Sequence, residues 1–304
     1  MSSFRQKHPI LLGLFILTGI FFLFLGGVSL LISSLISNGS KTDILSTKEG
    51  VGIVELKGLI VSSEHILKHL TEFRYNPDVK SIVLRIESPG GSVGASQEIY
   101  KEVLRTNEVK PVIASMGSMG ASGGYYAALG AEKIIANPGT MTGSIGVIVK
   151  FPNLEGFFEK IGYKSEVVKS GPLKDVGASN RPLSEEERKM MQDLIDNVYA
   201  QFVRDTAAAR DMEKETIEEL ADGRVYTGEQ ALEAGLIDSL GNFTDAITIA
   251  ADMGGLDVED PQLIYPKDDR KFSLFSLLTK AEQSLVDNFI PLYPILSFEW
   301  TGIR

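Results

Sequence analysis

The sequence predicts an α/β domain on a mainly parallel sheet, preceded by one membrane-spanning helix. Two observations predict the domain. From about residue 50 onward, short apolar runs alternate with stretches of helical periodicity, an order that requires crossover connections between parallel strands. Among those runs, "KSIVLRIE" (80–87) is almost continuously apolar, as a strand buried on both faces must be. A third observation predicts the span: no charged residue lies between His8 and Lys41, and residues 10–36 exceed the roughly 20 apolar positions needed to cross a bilayer.

In chain order, residues 1–9 form a short cytoplasmic end. Arg5 and Lys7 precede the apolar stretch, whereas Lys41, Asp43, Lys48 and Glu49 beyond it balance, which places the N-terminus inside and the bulk of the chain outside. The stretch is longer than the core of a cleavable signal and lacks a small-residue cleavage site after it, so it reads as an anchor. Residues 37–49 are a polar tether. Residues 50–256 form the α/β domain, and 257–304 a C-terminal extension that includes an amphipathic segment, "FSLFSLLTKAEQSLVDNF".

Within the domain, "VGIVELKG" is the first strand, and residues 62–73 form a helix with Ile66, Leu67, Leu70 and Phe73 on one face. After "KSIVLRIE" comes a sharp turn, "SPGGSV" (88–93), then a helix to about Thr106 and a strand, "PVIAS" (111–115). A helix begins close to Ser122, "KIIA" (133–136) is a strand, and "SEVVK" (165–169) is expected as another. Ser184 with Glu187, and Thr227 with Gln230, have the form of capping boxes and open the two later helices.

Composition removes several chemistries. A formal net charge of -10 with no basic stripe argues against nucleic acid. Without cysteine there is no thiolate catalysis, disulfide or cysteine-ligated zinc. Of the three histidines, His8 is remote, and His65 and His69 lie four apart on a helix without the glutamate of a zinc-protease motif. Neither a metal nor a cofactor is expected. The glycine turns match neither a Walker loop nor a dinucleotide fingerprint.

The stretch "SMGSMGASGGYYAALG" (115–130) carries the strongest chemical signal. A nucleophilic serine is well held where a strand turns into a helix, among small neighbours, with the next backbone N–H facing a developing oxyanion. Ser122 fits that place and Gly123 supplies the N–H, while Ser115 belongs to the strand and Ser118 to a turn or cap. A glycine-rich crossing that simply needs close packing explains the same residues. "SPGGSV" offers backbone N–H groups to an anion, or is purely a turn. With histidine unpromising, a base would have to be a lysine removed from water; "VVKSGPLKDVGAS" offers Lys169 and Lys174.

"ESPGGSV", "SMGSMGASGGYY", "NPGTMTGSIGV", "SGPLKD" and "GRVYTGEQALEAGLID" occur in an order that resembles the signal peptide peptidase A family, bacterial membrane-bound serine proteases, in its short single-copy form. The resemblance covers about residues 51–253, and more distantly extends to the Clp protease and crotonase fold of stacked strand-strand-helix units. It implies Ser122 as nucleophile, Lys174 as general base, Ser144 as the residue orienting that lysine, and Gly91 as an oxyanion-hole donor. It also implies that the Ser-Lys dyad is completed between copies, in an eight-membered ring. The expected substrates are cleaved signal peptides and other membrane-derived peptides, and the expected site of action is the outer face of the bacterial inner membrane. Where family members often carry a third glycine, this chain has Ser92. A quality-control protease of broader specificity, an inactive membrane scaffold of the same fold, and a crotonase-like acyl-CoA enzyme are the competing readings.

Overall fold

The computed structural model describes residues 49–267 and 297–299, together with Gly19, Leu23 and Gly27. The expected span (10–36), tether and amphipathic tail segment otherwise fall outside the described residues. Among the described residues no helix is long and apolar enough to cross a membrane. The chain divides into two compact units, residues 1–47 and 48–304, and the second holds the whole of the α/β domain.

At the centre of this domain are three long parallel strands, β1 (Gly50–Lys57), β2 (Val79–Ser88) and β4 (Val112–Ala121). Helix α1 (Glu64–Tyr75) connects β1 to β2, and β3 (Gly90–Ser92) with α2 (Val93–Asn107) connects β2 to β4, as the alternating pattern requires. Both faces of the sheet are covered. Val54, Leu56, Ile82, Leu84, Ile86, Val112 and Ala114 point to one face, packed with α1, α2, α3 (Gly123–Ala128) and α5 (Glu185–Arg210). The alternate positions Val51, Ile53, Val83 and Ile113 point to the other, against Ala246, Ile247, Ala250 and Ala251 of α8 (Phe243–Met253). The period-2 alternation of strand side chains therefore feeds two cores, which explains why β2 is apolar throughout.

β4 runs well past the expected stop at residue 115, and Ser118 lies within it rather than in a turn. Its first half pairs with β5 (Lys133–Ala136) and its second half with β6 (Met141–Gly143), so one strand serves two neighbours on the same edge. The glycines that look like a turn are there for proximity. A methyl on Gly117 would lie 1.5 Å from a Glu87 carboxylate oxygen, and one on Gly120 would lie 2.7 Å from Met116 Cγ. Thr140 and Thr142 fix the change of partner, donating to the carbonyls of Gly117 (2.5 Å) and Gly120 (2.8 Å). β7 (Val225–Tyr226) adds antiparallel to β6, and the remaining edge pairs are parallel: β8 (Ser239–Leu240) on β5 and β9 (Gln262–Ile264) on β1.

"SPGGSV" is more than a turn, because its middle forms β3. That strand pairs antiparallel with β10 (Ser297–Glu299), so parts of the expected extension, β9 and β10, contribute to the domain's sheets. The expected strand at 165–169 is absent; those residues are exposed and irregular, and they pair with no strand among the described residues. Around them only one short helix forms, α4 (Glu155–Lys160), and it buries nothing. Both capping boxes form as the sequence predicts, opening α5 and α7 (Gly228–Glu233), with a third of Asn242 and Asp245 on α8. α6 (Lys214–Leu220) follows α5.

Candidate active site

Ser122 sits at the junction where β4 becomes α3. Its φ of 54° is left-handed, an unusual state for a residue with a Cβ, one that costs about 1–3 kcal/mol and persists only where its surroundings impose it. Its N–H donates to Gly143 O at 2.7 Å, and its own carbonyl accepts from Tyr126 N–H at 2.8 Å, closing the first turn of α3. With the backbone occupied in this way, the hydroxyl makes no capping hydrogen bond. Ser144 is the second such residue, with φ 53° and its N–H donating to Arg224 O at 2.8 Å. Among the described non-glycine residues, Asp211 alone shares this conformation, and it is an ordinary left-handed helix C-cap.

The two strained serines line one cleft of about 400 Å³, whose walls include Val147, Ile148, Ile195, Tyr199 and Asp222. Asp222 is held down to about 2 by hydrogen bonds from the Arg224 side chain and N–H, a clamp that steadies the carbonyl receiving Ser144 N–H. A larger open cleft, about 650 Å³, is lined by Glu98, Lys101, Arg204 and other polar residues; neither Ser122 nor Ser144 reaches it.

β3 lies against the start of α3. A methyl built on Gly123 would sit 2.4 Å from Ser96 Oγ and 3.1 Å from Gly91 N; one on Gly90 would sit 2.6 Å from Gly123 N. Only hydrogen fits at these positions, and the absence of side chains leaves the Gly91 and Gly123 peptide groups side by side next to Ser122. The structure thus brings Ser122, Gly123, Gly91 and Ser144 together. Tyr125 and Tyr126, which follow Ser122 on α3, are fully buried. Burial pushes the Tyr126 hydroxyl well above the usual phenol range, helped by its hydrogen bond to Asp205.

Lys174 is not in the cleft of its own chain. It lies exposed on the irregular loop, its N–H donating to Gly171 O at 3.2 Å, and its ammonium has no hydrogen-bond or ion-pair partner among the described residues. The next residue is firmly tied. Asp175 accepts from Lys169 and pairs with Arg181, and Arg181 forks onto both oxygens of Glu187 at 2.6 and 2.8 Å. Glu187 is buried and closes the α5 capping box. Hydrogen bonds from Arg181 and from the Ser184 N–H hold Glu187 at about 2. Lys169, the other candidate base, is occupied by Asp175.

His65 and His69 touch edge to face, with ring centroids 4.0 Å apart. Among the described residues no group of three or more metal-ligating side chains of His, Asp or Glu converges. What sequence reading missed is Ile148, Tyr199 and Asp222 of the cleft wall, and β10. None carries a local pattern, since each acquires its place through contacts remote in sequence.

Comparison with known proteins agrees with this architecture. Residues 105–257 match the model of peptidase family S49, and residues 53–142 that of Clp protease. A putative protease of Synechocystis, slr0021, is 42% identical over 251 residues, covering 80% of this chain and 88% of the relative. Protease 4 of Salmonella typhi is 42% identical over 197 residues, covering 64% of this chain and 32% of the relative. A putative signal peptide peptidase SppA of Enterococcus faecium is 40% identical over 185 residues, covering 60% and 54%. Ser122 lies in the segment shared by both family matches, and the chain belongs to peptidase family S49, proteases, on an α/β fold like that of Clp protease.

Proposed function

We propose that the protein is a serine endopeptidase in which Ser122 of one copy and Lys174 of a neighbouring copy form the catalytic dyad. The observation that carries this reading is the left-handed Ser122, set at a strand-to-helix junction beside two bare glycine peptide groups. The Lys174 amine takes the proton of Ser122 Oγ as the oxygen attacks the scissile carbonyl. The N–H groups of Gly91 and Gly123 stabilise the oxyanion, protonated Lys174 donates to the leaving amine, and water then releases the acyl group. Ser144 orients the lysine amine.

A lysine acts as a base only when neutral, which requires removal from water. Contact with a second copy is what would shield so exposed a side chain. The loop region carrying Lys174 has other reasons to seek a partner: Phe157, Ile161, Tyr163 and Val168 are all exposed, Val168 at 96%. The resemblance gives the assembly as a ring of eight. The apolar residues 10–36 would anchor that ring in the bacterial inner membrane, with its N-termini cytoplasmic and its catalytic domains outside. Cleaved signal peptides and other membrane-derived peptides are the substrates this placement favours, and the name of the Enterococcus relative supports them. Ser122→Ala and Lys174→Ala should each abolish hydrolysis of a model signal peptide while the oligomer stays intact by light scattering; full activity in either variant removes the dyad.

A further inference from the structure

In the turn "SPGGSV" the mechanism above uses Gly91 and leaves Ser88 without a role. Ser88 ends β2 and is fully buried. A hydroxyl taken out of water has to be paired, and this one is paired twice. It donates to Gly58 O at 2.6 Å and accepts from Gly90 N–H at 3.1 Å. Those partners belong to two different segments. Residues 58–60 lead out of β1, and Gly58 is itself left-handed at φ 72°, its N–H donating to Glu87 O at 2.8 Å. Residues 90–92 are β3. The two segments pair through Ile60, whose N–H donates to Gly90 O (2.8 Å) and whose carbonyl accepts from Ser92 N–H (2.7 Å). One buried hydroxyl thus ties together both sides of that pairing.

The pairing decides where the Gly91 N–H points. Gly90 C=O and Gly91 N–H belong to one planar trans peptide group, so they face opposite ways. With the carbonyl held on Ile60, the N–H is turned away from Ile60. Rotation of that single peptide would exchange donor for acceptor, and a carbonyl in the donor's place would repel an oxyanion. Two successive glycines resist such a rotation least, because neither carries a Cβ. Gly90 stands at φ 98°, in the left-handed half of the map. Pro89 has no N–H, so the Gly90 N–H is the first backbone donor after β2 that a brace can grip. Ser88 is also set against the nucleophile. It stands opposite Gly120 in the β2–β4 register, two residues before Ser122, and a methyl on Gly124 would lie 3.0 Å from Ser88 O.

We propose that Ser88 is a positioning residue for the oxyanion hole: its hydroxyl holds the Gly90–Gly91 peptide in the orientation that aims the Gly91 N–H at the oxyanion. The inference rests on Ser122 being the nucleophile and Gly91 an oxyanion donor. Such a brace acts on the transition state, because the oxyanion exists only there, and it spares ground-state binding of substrate.

The test uses the full chain in its assembled form, a quenched peptide substrate and two inhibitors built on the same peptide. One is an aldehyde: Ser122 Oγ adds to its carbonyl carbon, the hydroxyl proton passes to the Lys174 amine, and the carbonyl oxygen becomes the anion in the hole. The other is the corresponding alcohol, which forms no adduct. Ser88→Ala should lower kcat about 30-fold, part of the roughly 10²–10³-fold lost when a donor is removed outright, and leave KM nearly unchanged. Inhibition by the aldehyde should weaken by the same factor, and inhibition by the alcohol should not. If Ser88→Ala does not fold by circular dichroism, Ser88→Cys fills the same space with a weaker donor and acceptor and should show the same split with a loss of about fivefold. An unchanged kcat in a folded variant, or equal weakening of aldehyde and alcohol, overturns the proposal and makes Ser88 an ordinary buried turn residue. An unsubstituted chain that neither cleaves the peptide nor responds to the aldehyde overturns the serine-protease reading, and the brace with it.

Discussion

Ser122 and Lys174 are built into opposite surroundings. Ser122 is buried, its backbone locked into a left-handed state by Gly143 on one side and the first turn of α3 on the other. Lys174 lies exposed on an irregular loop that no described residue covers, although the segment beside it is tied to α5 through Asp175, Arg181 and Glu187. One region is finished within a single chain. The other is tied at its base and left exposed, and under the proposed function its cover comes from a neighbouring copy. The difference teaches that positioning and burial are separable: the first can come from the fold and the second from assembly.

The largest effect should come from changing the chemistry of the open region while keeping its charge. Lys174→Arg retains the cation, but a guanidinium does not give up its proton, so activity should fall by about 10³-fold or more, as with loss of any general base. Steady-state hydrolysis of a quenched peptide reads this; substantial activity would mean that Lys174 contributes charge alone. In the finished region, Gly91→Ala puts a methyl 2.1 Å from Ile60 O and must shift β3. Misplacing one oxyanion donor should lower kcat by about 10²–10³-fold, with a milder effect on KM. An unchanged kcat would remove Gly91 from the oxyanion hole.

A smaller effect tests the tie beneath the open loop. Glu187→Gln keeps the size of the side chain and removes one of the two carboxylate charges that Arg181 pairs with, which should loosen the loop and lower kcat by about tenfold without dissolving the fold. Acid should act in the same way. Glu187 is held at about 2 in the folded protein, below the unfolded carboxylate value near 4.3, so its stabilisation is present above that value and is lost as pH falls toward 2. Asp175, held below its usual range by Lys169 and Arg181, works in the same direction. Hydrogen exchange in 169–181 should therefore rise below about pH 4, ahead of exchange in β2; simultaneous loss of protection in both would mean that the loop has no separate tie.

The smallest effect has the opposite sign. Ser122→Gly relieves the left-handed strain and should raise the unfolding free energy by about 1 kcal/mol while abolishing activity. A lower melting temperature would mean that the serine's conformation is not strained.

The two regions are also unequally legible. Ser122 can be found from sequence because a serine among glycines between a strand and a helix is a local pattern, and the capping boxes on Ser184 and Thr227 are local for the same reason. The extent of β4 is not legible, because Gly117 and Gly120 serve close approach to Glu87 and Met116 while looking like a turn. "SEVVK" has the composition of a strand, yet strands exist by pairing, and among the described residues no edge meets it. The pairing of β10 with β3 joins residues about two hundred positions apart, which no local pattern records. Lys174 can be distinguished from Lys169 only by resemblance; the ion pair that occupies Lys169 appears only in three dimensions.

If the two regions meet only on assembly, each working site takes its serine from one copy and its lysine from another. Ser122→Ala and Lys174→Ala chains, each inactive alone, can be dissociated, mixed in equal amounts and reassembled. Random mixing should restore about a quarter of wild-type peptide hydrolysis, because a quarter of the contacts then join an intact serine to an intact lysine. Mixed oligomers that form but remain inactive would contradict the account and place the whole dyad within one chain.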